Sequence, residues 1–128
     1  MSKDDVVRRA LWATVPFNLG GALLFAFPDT LGRLANLPAP VPRVYAFSLA
    51  LLVALFAGAY AWLARQPHID RPFVGFLAIG KASFFTLVLL CWMAGEAPVQ
   101  AVLAASGDLV FAAIFWWWLA GTRPPSDA

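Results

Sequence analysis

The sequence predicts an all-α integral membrane protein, a single up-down-up-down four-helix bundle that comprises residues 1–128. Hydrophobic residues make up 62% of the chain and charged residues only 12%, which is more apolar surface than a soluble domain of this size can cover. The apolar residues also fall into four runs of about 20 residues, the length that crosses a bilayer as a helix. These runs are 10–27, 44–64, 73–94 and 99–120.

The first run is interpreted as a retained helix, because Ala26-Phe27-Pro28 is a poor signal-peptide cleavage context and a second run follows closely. The longest connection, 28–43, predicts a short interfacial helix at about 29–37, capped by Asp29 or Thr30. We expect this segment to lie on the outward-facing surface of the membrane that the protein spans. The alternative is that it forms a lid over an outward-facing cavity. Its apolar face consists of Leu31, Leu34 and Leu37.

The connections 65–72 and 95–98 are short, so the second, third and fourth helices are expected to be sequential antiparallel neighbours. Lysine and arginine are concentrated at the end that carries both termini, which predicts cytoplasmic termini in a bacterial cytoplasmic (inner) membrane. The cations at that end are Lys3, Arg8, Arg9, Arg65, Arg71 and Arg123, against Arg33 and Arg43 at the other end.

Three polar residues, Asn18, Lys81 and Asp108, fall deep inside the apolar runs. Asn18 and Lys81 lie about 12 Å, and Asp108 about 18 Å, from the cytoplasmic ends of their helices, so all three are near one level. Charged groups inside a membrane protein face the bundle interior and pair. Their side chains lean in opposite directions along the helices, which leaves open direct contact between Lys81 and Asp108 or a bridge through water or Asn18.

Three interpretations of this centre stay open. The ion pair fixes helix register; it lies in a cavity for the polar end of a lipophilic ligand; or Asp108 exchanges a proton or cation during transport. Aromatic residues beside the pair are candidate pocket lining for a quinone, an isoprenoid or another lipid. They are Phe84, Phe85, Phe111, Phe115 and Trp118.

Several functions are disfavoured. One cysteine and one histidine leave no metal-binding cluster, no attachment motif for covalent haem and no hydrolytic triad. A net charge of +2 gives no basic patch for nucleic acid. The expected partners are membrane lipid and further copies of the chain or a larger membrane complex. The sequence does not identify a cofactor and leaves a bound lipid or quinone open.

The segments RPFVGFLAIGKASFF (71–85) and GDLVFAAIFWWWL (107–119) resemble a broad group of small bacterial four-helix membrane proteins that is itself loosely similar to the DoxX-like proteins. The resemblance implies a four-helix bundle and marks Gly80, Lys81 and Asp108, without implying an activity. We therefore predict a non-enzymatic accessory subunit or lipophilic-ligand binder. The alternatives are a small proton-coupled transporter that acts as an oligomer and, less favoured, an enzyme acting on a lipid or quinone.

Overall fold

A computed structural model describes residues 1–122, which form four long α-helices and one short 3-10 helix. Each α-helix has 23 or 24 residues, a length of about 35 Å. The expected all-helical chain is confirmed over these residues; the predicted cytoplasmic Arg123 lies outside them. The elements are α1 (Lys3–Ala26), the 3-10 helix (Leu31–Ala35), α2 (Arg43–Arg65), α3 (Arg71–Met93) and α4 (Val99–Gly121).

Helix α1 begins seven residues before the apolar run that predicted it. Ser2 and Asp5 form a capping box, in which Asp5 N donates to Ser2 Oγ at 3.1 Å and Ser2 N donates to Asp5 Oδ2 at 3.1 Å. This pair satisfies backbone donors that the helix start leaves unpaired. Hydrophobicity alone misses the added turns because they are polar.

The connection 28–43 differs from the predicted interfacial helix at 29–37. Only Leu31–Ala35 are helical, in a 3-10 turn that Asn36 ends in the left-handed conformation. Thr30 occupies the cap position but its side chain makes no capping hydrogen bond. The apolar face is also split, because Leu34 is exposed to 82% whereas Leu37 faces the interior of the bundle.

The helices associate as two closely packed hairpins, α1 with α2 and α3 with α4, and α1 also approaches α4. The expected adjacency of α3 and α4 is present. In the described chain no Cα atom of α2 comes within 8 Å of one in α3, so these two helices are neighbours through their side chains and their backbones are not closely packed. The two helices meet through large side chains, such as the stacked rings of Phe56 and Phe76.

Large buried side chains are concentrated at the end of the bundle that carries the N-terminus, here called the terminal half. It comprises the parts of the four helices around residues 3–14, 57–65, 71–78 and 112–121. Leu11, Leu77 and Phe115 are essentially inaccessible there, and they pack in one core cluster with side chains from all four helices. The other members are Val7, Ala10, Tyr60, Leu63, Ala64, Val74, Ala78 and Trp118.

Two arginines cap the C-terminal ends of helices in the terminal half. Arg8 donates to the carbonyl oxygens of Ala64 and Gln66 at the end of α2, the second bond at 2.8 Å. Arg71 donates to Thr122 Oγ1 and, at 2.8 Å, to the carbonyl oxygen of Leu119 at the end of α4. A guanidinium at these positions satisfies unpaired carbonyls and compensates the negative end of the helix dipole.

Helices α2, α3 and α4 are each long and apolar enough to cross a membrane. Helix α1 is as long, but it is not among them. Arg8, Arg9, Pro16 and Asn18 make it more polar than the other three. Length and composition therefore identify three of the four predicted spans.

Candidate functional site

The three polar residues predicted at mid-depth lie together. Lys81 Nζ donates to Asp108 Oδ1 at 2.6 Å and to Asn18 Oδ1 at 3.2 Å, so the ion pair is direct and Asn18 adds to it. The side chains of Lys81 and Asp108 are exposed to only 4% and 11%. We call Asn18, Lys81 and Asp108 the polar layer; α1, α3 and α4 each contribute one member.

Asn18 also connects the polar layer to the remaining helix. Its Nδ2 donates to the carbonyl oxygen of Val53 in α2 at 3.3 Å, so both ends of the side-chain amide are used. The polar layer thus joins all four helices. A slip of one helix along its neighbours would separate Lys81 from Asp108 and leave a buried charge without its partner, which is costly.

Aromatic rings surround the ammonium group of Lys81. Its Nζ lies 5.1 Å from the ring centroids of Phe17 and Tyr60 and 5.3 Å from that of Phe111. At these distances the electron-rich faces of the rings attract a cation. The sequence indicated neither Phe17 nor Tyr60 as part of the site, because each looks like an ordinary apolar residue of its run.

A cavity of about 640 Å³ lies on the other side of the polar layer from the core. Its floor is the polar layer with Tyr60, and Ala35 and Leu37 of the connection 28–43 cover its far end. Its walls are apolar and come from all four α-helices. We call this part of the bundle the hollow half. The wall residues include Phe17, Gly20, Leu24, Leu52, Val53, Phe56, Gly80, Phe84, Val88, Ala101 and Ala104.

Of the five aromatic residues predicted to line a pocket, Phe84 borders this cavity. Phe85 does not belong to its walls. Phe115 and Trp118 are buried in the terminal-half core, and Phe111 packs against that core. Of the five, Phe84 is therefore the residue that borders this cavity.

The reason is the direction of α4. The helix runs towards the terminal half, so residues that follow Asp108 pass into the packed core. The cavity borders the residues that precede Asp108, which are the small side chains Ala101, Ala104 and Ala105. The aromatic stripe Phe111, Phe115 and Trp118 was conspicuous in the sequence. The side chains that leave space for the cavity are alanines, which the sequence pattern does not distinguish.

The chemistry available in this site is limited. The charges of Lys81 and Asp108 cancel, and no cluster of three metal-ligating side chains occurs in residues 1–122. Cys91, the one cysteine, does not border the cavity. The site therefore offers hydrogen bonds at its floor and apolar contact along its walls.

Comparison with protein-family models, with curated proteins and with solved structures finds no match to this chain. The resemblance to DoxX-like proteins therefore stays a prediction, and the geometry of the site carries the functional argument.

Proposed function

We propose that this chain is a four-span integral membrane protein that binds, without catalysis, a lipophilic molecule with one polar end. The cavity is the observation that carries the proposal. Its volume, about 640 Å³, is within the range of about 300–1,000 Å³ found for small-molecule sites. An apolar wall that ends at a few convergent polar groups matches the two ends of such a ligand.

The membrane is the source of the ligand. Three helices are apolar enough to span it, and α1 lies with them because it packs along α2, approaches α4 and contributes Asn18 to the polar layer. The backbones of α2 and α3 stay apart, and both helices border the cavity. A lipophilic molecule therefore reaches the cavity from the side, between these helices.

The tight packing of the terminal half favours a binding function over a transport function. Below the polar layer, Leu11, Leu77 and Phe115 are buried in continuous packing, which closes the path from the cavity to the other side. Asp108 is bonded to Lys81 in this arrangement. An accessory protein that holds or presents a lipophile needs only the one open side.

The topology follows from the distribution of charge. Lys3, Arg8, Arg9, Arg65 and Arg71 lie at the terminal half, against Arg33 and Arg43 at the other end. In the proposed arrangement the terminal half faces the bacterial cytoplasm, because cytoplasmic loops are enriched in lysine and arginine. The cavity then opens in the outer half of the inner membrane.

Native mass spectrometry of the protein extracted in mild detergent tests the proposal. The matched variants are Gly80→Phe, which fills the cavity, and Gly58→Phe on the outside of α2. Both glycines are exposed within α-helices, and a Cβ at either meets no atom within 4 Å, so both variants are expected to fold. Only Gly80 borders the cavity.

We expect a bound lipophile with wild type and with Gly58→Phe, and its loss with Gly80→Phe. An apo mass for wild type under conditions that preserve its fold contradicts the proposal. Equal retention in both variants places the ligand outside the cavity and contradicts it as well.

A further inference from the structure

Two hydrogen-bonding groups at the cavity floor have no partner among residues 1–122. Asp108 uses Oδ1 for Lys81, and neither its Oδ2 nor the hydroxyl of Tyr60 makes a hydrogen bond there. No side-chain oxygen or nitrogen of the described chain is both sealed from solvent and unpaired. Because Asp108 and Tyr60 both border the cavity, these two groups are accessible from it.

The other polar groups of the floor are already occupied. Lys81 donates to two oxygens and has three aromatic rings around its ammonium group. Asn18 uses both its oxygen and its nitrogen. A ligand that replaced one of these bonds would leave a buried charge or amide without its partner, which costs free energy.

The free groups select the chemistry of the ligand's polar end. A carboxylate oxygen only accepts hydrogen bonds, whereas a tyrosine hydroxyl both donates and accepts. A phosphate or carboxylate on the ligand would meet the Asp108 carboxylate, and like charges repel at short range. An ammonium group on the ligand would be repelled by the ammonium group of Lys81, which is bonded to the same carboxylate. A neutral hydroxyl avoids both conflicts.

We propose that the ligand is a neutral lipophilic alcohol, such as a polyprenyl alcohol or a hydroquinone, whose hydroxyl donates to Asp108 Oδ2 and accepts from the Tyr60 hydroxyl. This inference rests on the proposed function, because it assigns the ligand class of the same cavity. The apolar chain of the alcohol lies along the cavity wall, past Gly80 and Phe84.

Direct binding of three related probes tests this assignment. Full-length protein in detergent is titrated with farnesol, farnesyl methyl ether and farnesyl phosphate, which share one chain and differ at the polar end. The ether has no donor for Asp108, and the phosphate adds negative charge. We expect farnesol to bind at least about tenfold more tightly than either probe, the effect of one hydrogen bond to a charged group.

The two tyrosines of the chain supply a matched pair of variants. Tyr60→Phe removes a hydroxyl that no described residue uses, so the fold is retained, and farnesol affinity is expected to fall about threefold to tenfold. Tyr45→Phe is the control, because Tyr45 is 69% exposed and does not border the cavity. Its farnesol affinity is expected to equal that of wild type.

The outcomes separate this inference from the proposed function. Tighter binding of the phosphate, equal binding of the ether, or an unchanged farnesol affinity in Tyr60→Phe overturns the alcohol assignment and leaves a cavity that binds lipophiles. If none of the three probes binds and no lipophile is retained on purification, both proposals fail.

Discussion

The terminal half and the hollow half are built from the same four helices, but they use their buried positions differently. In the terminal half, Leu11, Leu77 and Phe115 meet at the bundle centre. In the hollow half, no large apolar side chain of the described residues is fully buried. The buried residues of its α-helices are the alanines Ala22, Ala46, Ala50 and Ala105.

This difference separates stability from binding. Small residues let α1 pack closely against its neighbours, but they leave the bundle centre beyond the polar layer unfilled. Because interior packing is tight where side chains interdigitate, the terminal half holds the helices together. The hollow half can therefore contain a cavity without unfolding the bundle, and the polar layer is the boundary between the terminal half and the hollow half.

The largest contrast is expected from removing one phenylalanine on each side of this boundary. Phe115→Ala creates a new void in the core and is expected to cost about 3–5 kcal/mol. Phe84→Ala enlarges a cavity that already exists and loses mainly the edge-to-face contact with Phe25, about 1 kcal/mol. Thermal unfolding of ligand-free protein in detergent measures both. Equal losses would show that the two halves are packed alike.

The polar layer at this boundary is tested by removing one or both charges of the Lys81–Asp108 ion pair. Lys81→Leu leaves Asp108 buried without its partner and is expected to destabilise the fold by about 3 kcal/mol. The double variant Lys81→Leu/Asp108→Leu removes both charges and is expected to recover most of that loss. The same unfolding assay applies. A double variant as unstable as the single one would argue that the ion pair stabilises the bundle in its own right.

A smaller effect is expected from the arginines that complete the helix ends. Arg8→Gln removes the charged donor to Ala64 and Gln66 and is expected to cost about 1–2 kcal/mol. Arg9→Gln is the control, because Arg9 is exposed and makes no hydrogen bond to another described side chain or helix end. Indistinguishable melting midpoints for the two variants would contradict the capping role of Arg8.

The smallest effect is expected at the start of α1. The side-chain hydrogen bond from Ser2 lowers the pKa of Asp5 below its ordinary value near 3.8. A lowered folded-state pKa stabilises the fold at neutral pH, and this contribution is lost as the pH falls below about 4. Ser2→Ala should therefore lower the melting midpoint by a few degrees at most at pH 7 and by less at pH 3. If the melting midpoints of wild type and Ser2→Ala differ by the same amount at pH 7 and at pH 3, the stabilising role of the Asp5 carboxylate is contradicted.

The sequence predicted the helices well, but it did not predict on which side of the polar layer the cavity lies. Apolar runs of membrane-spanning length marked all four helices, and the cost of placing Lys81 and Asp108 in them predicted that the two charges would pair. A cavity at this centre was one of the open interpretations, but the residues that line it were not predictable in the same way, because they depend on how far apart two helices settle. Short connections predicted that α2 and α3 are neighbours, and Phe56 and Phe76 do meet between them, but the distance between the two backbones did not follow from the sequence.

The aromatic stripe after Asp108 shows the same limit. A periodic pattern identifies one face of a helix, but it does not say whether the space in front of that face is filled. Phe115 and Trp118 face the bundle interior and fill it, whereas Gly80 and Ala104 face it and leave it open. Tyr60 joined the site only because α2 brings its ring within 5.1 Å of Lys81 Nζ.

Photolabelling tests most directly whether the hollow half holds the ligand. A farnesol analogue with a diazirine at the end of its chain is bound to the protein, irradiated and mapped by peptide mass spectrometry. We expect labels on cavity-wall residues such as Leu52, Val53 and Phe84, and their loss in Gly80→Phe. Labels confined to the exposed Leu51, Leu55 and Leu87, unchanged in Gly80→Phe, would show that the molecule binds only to the outer surface of the helices.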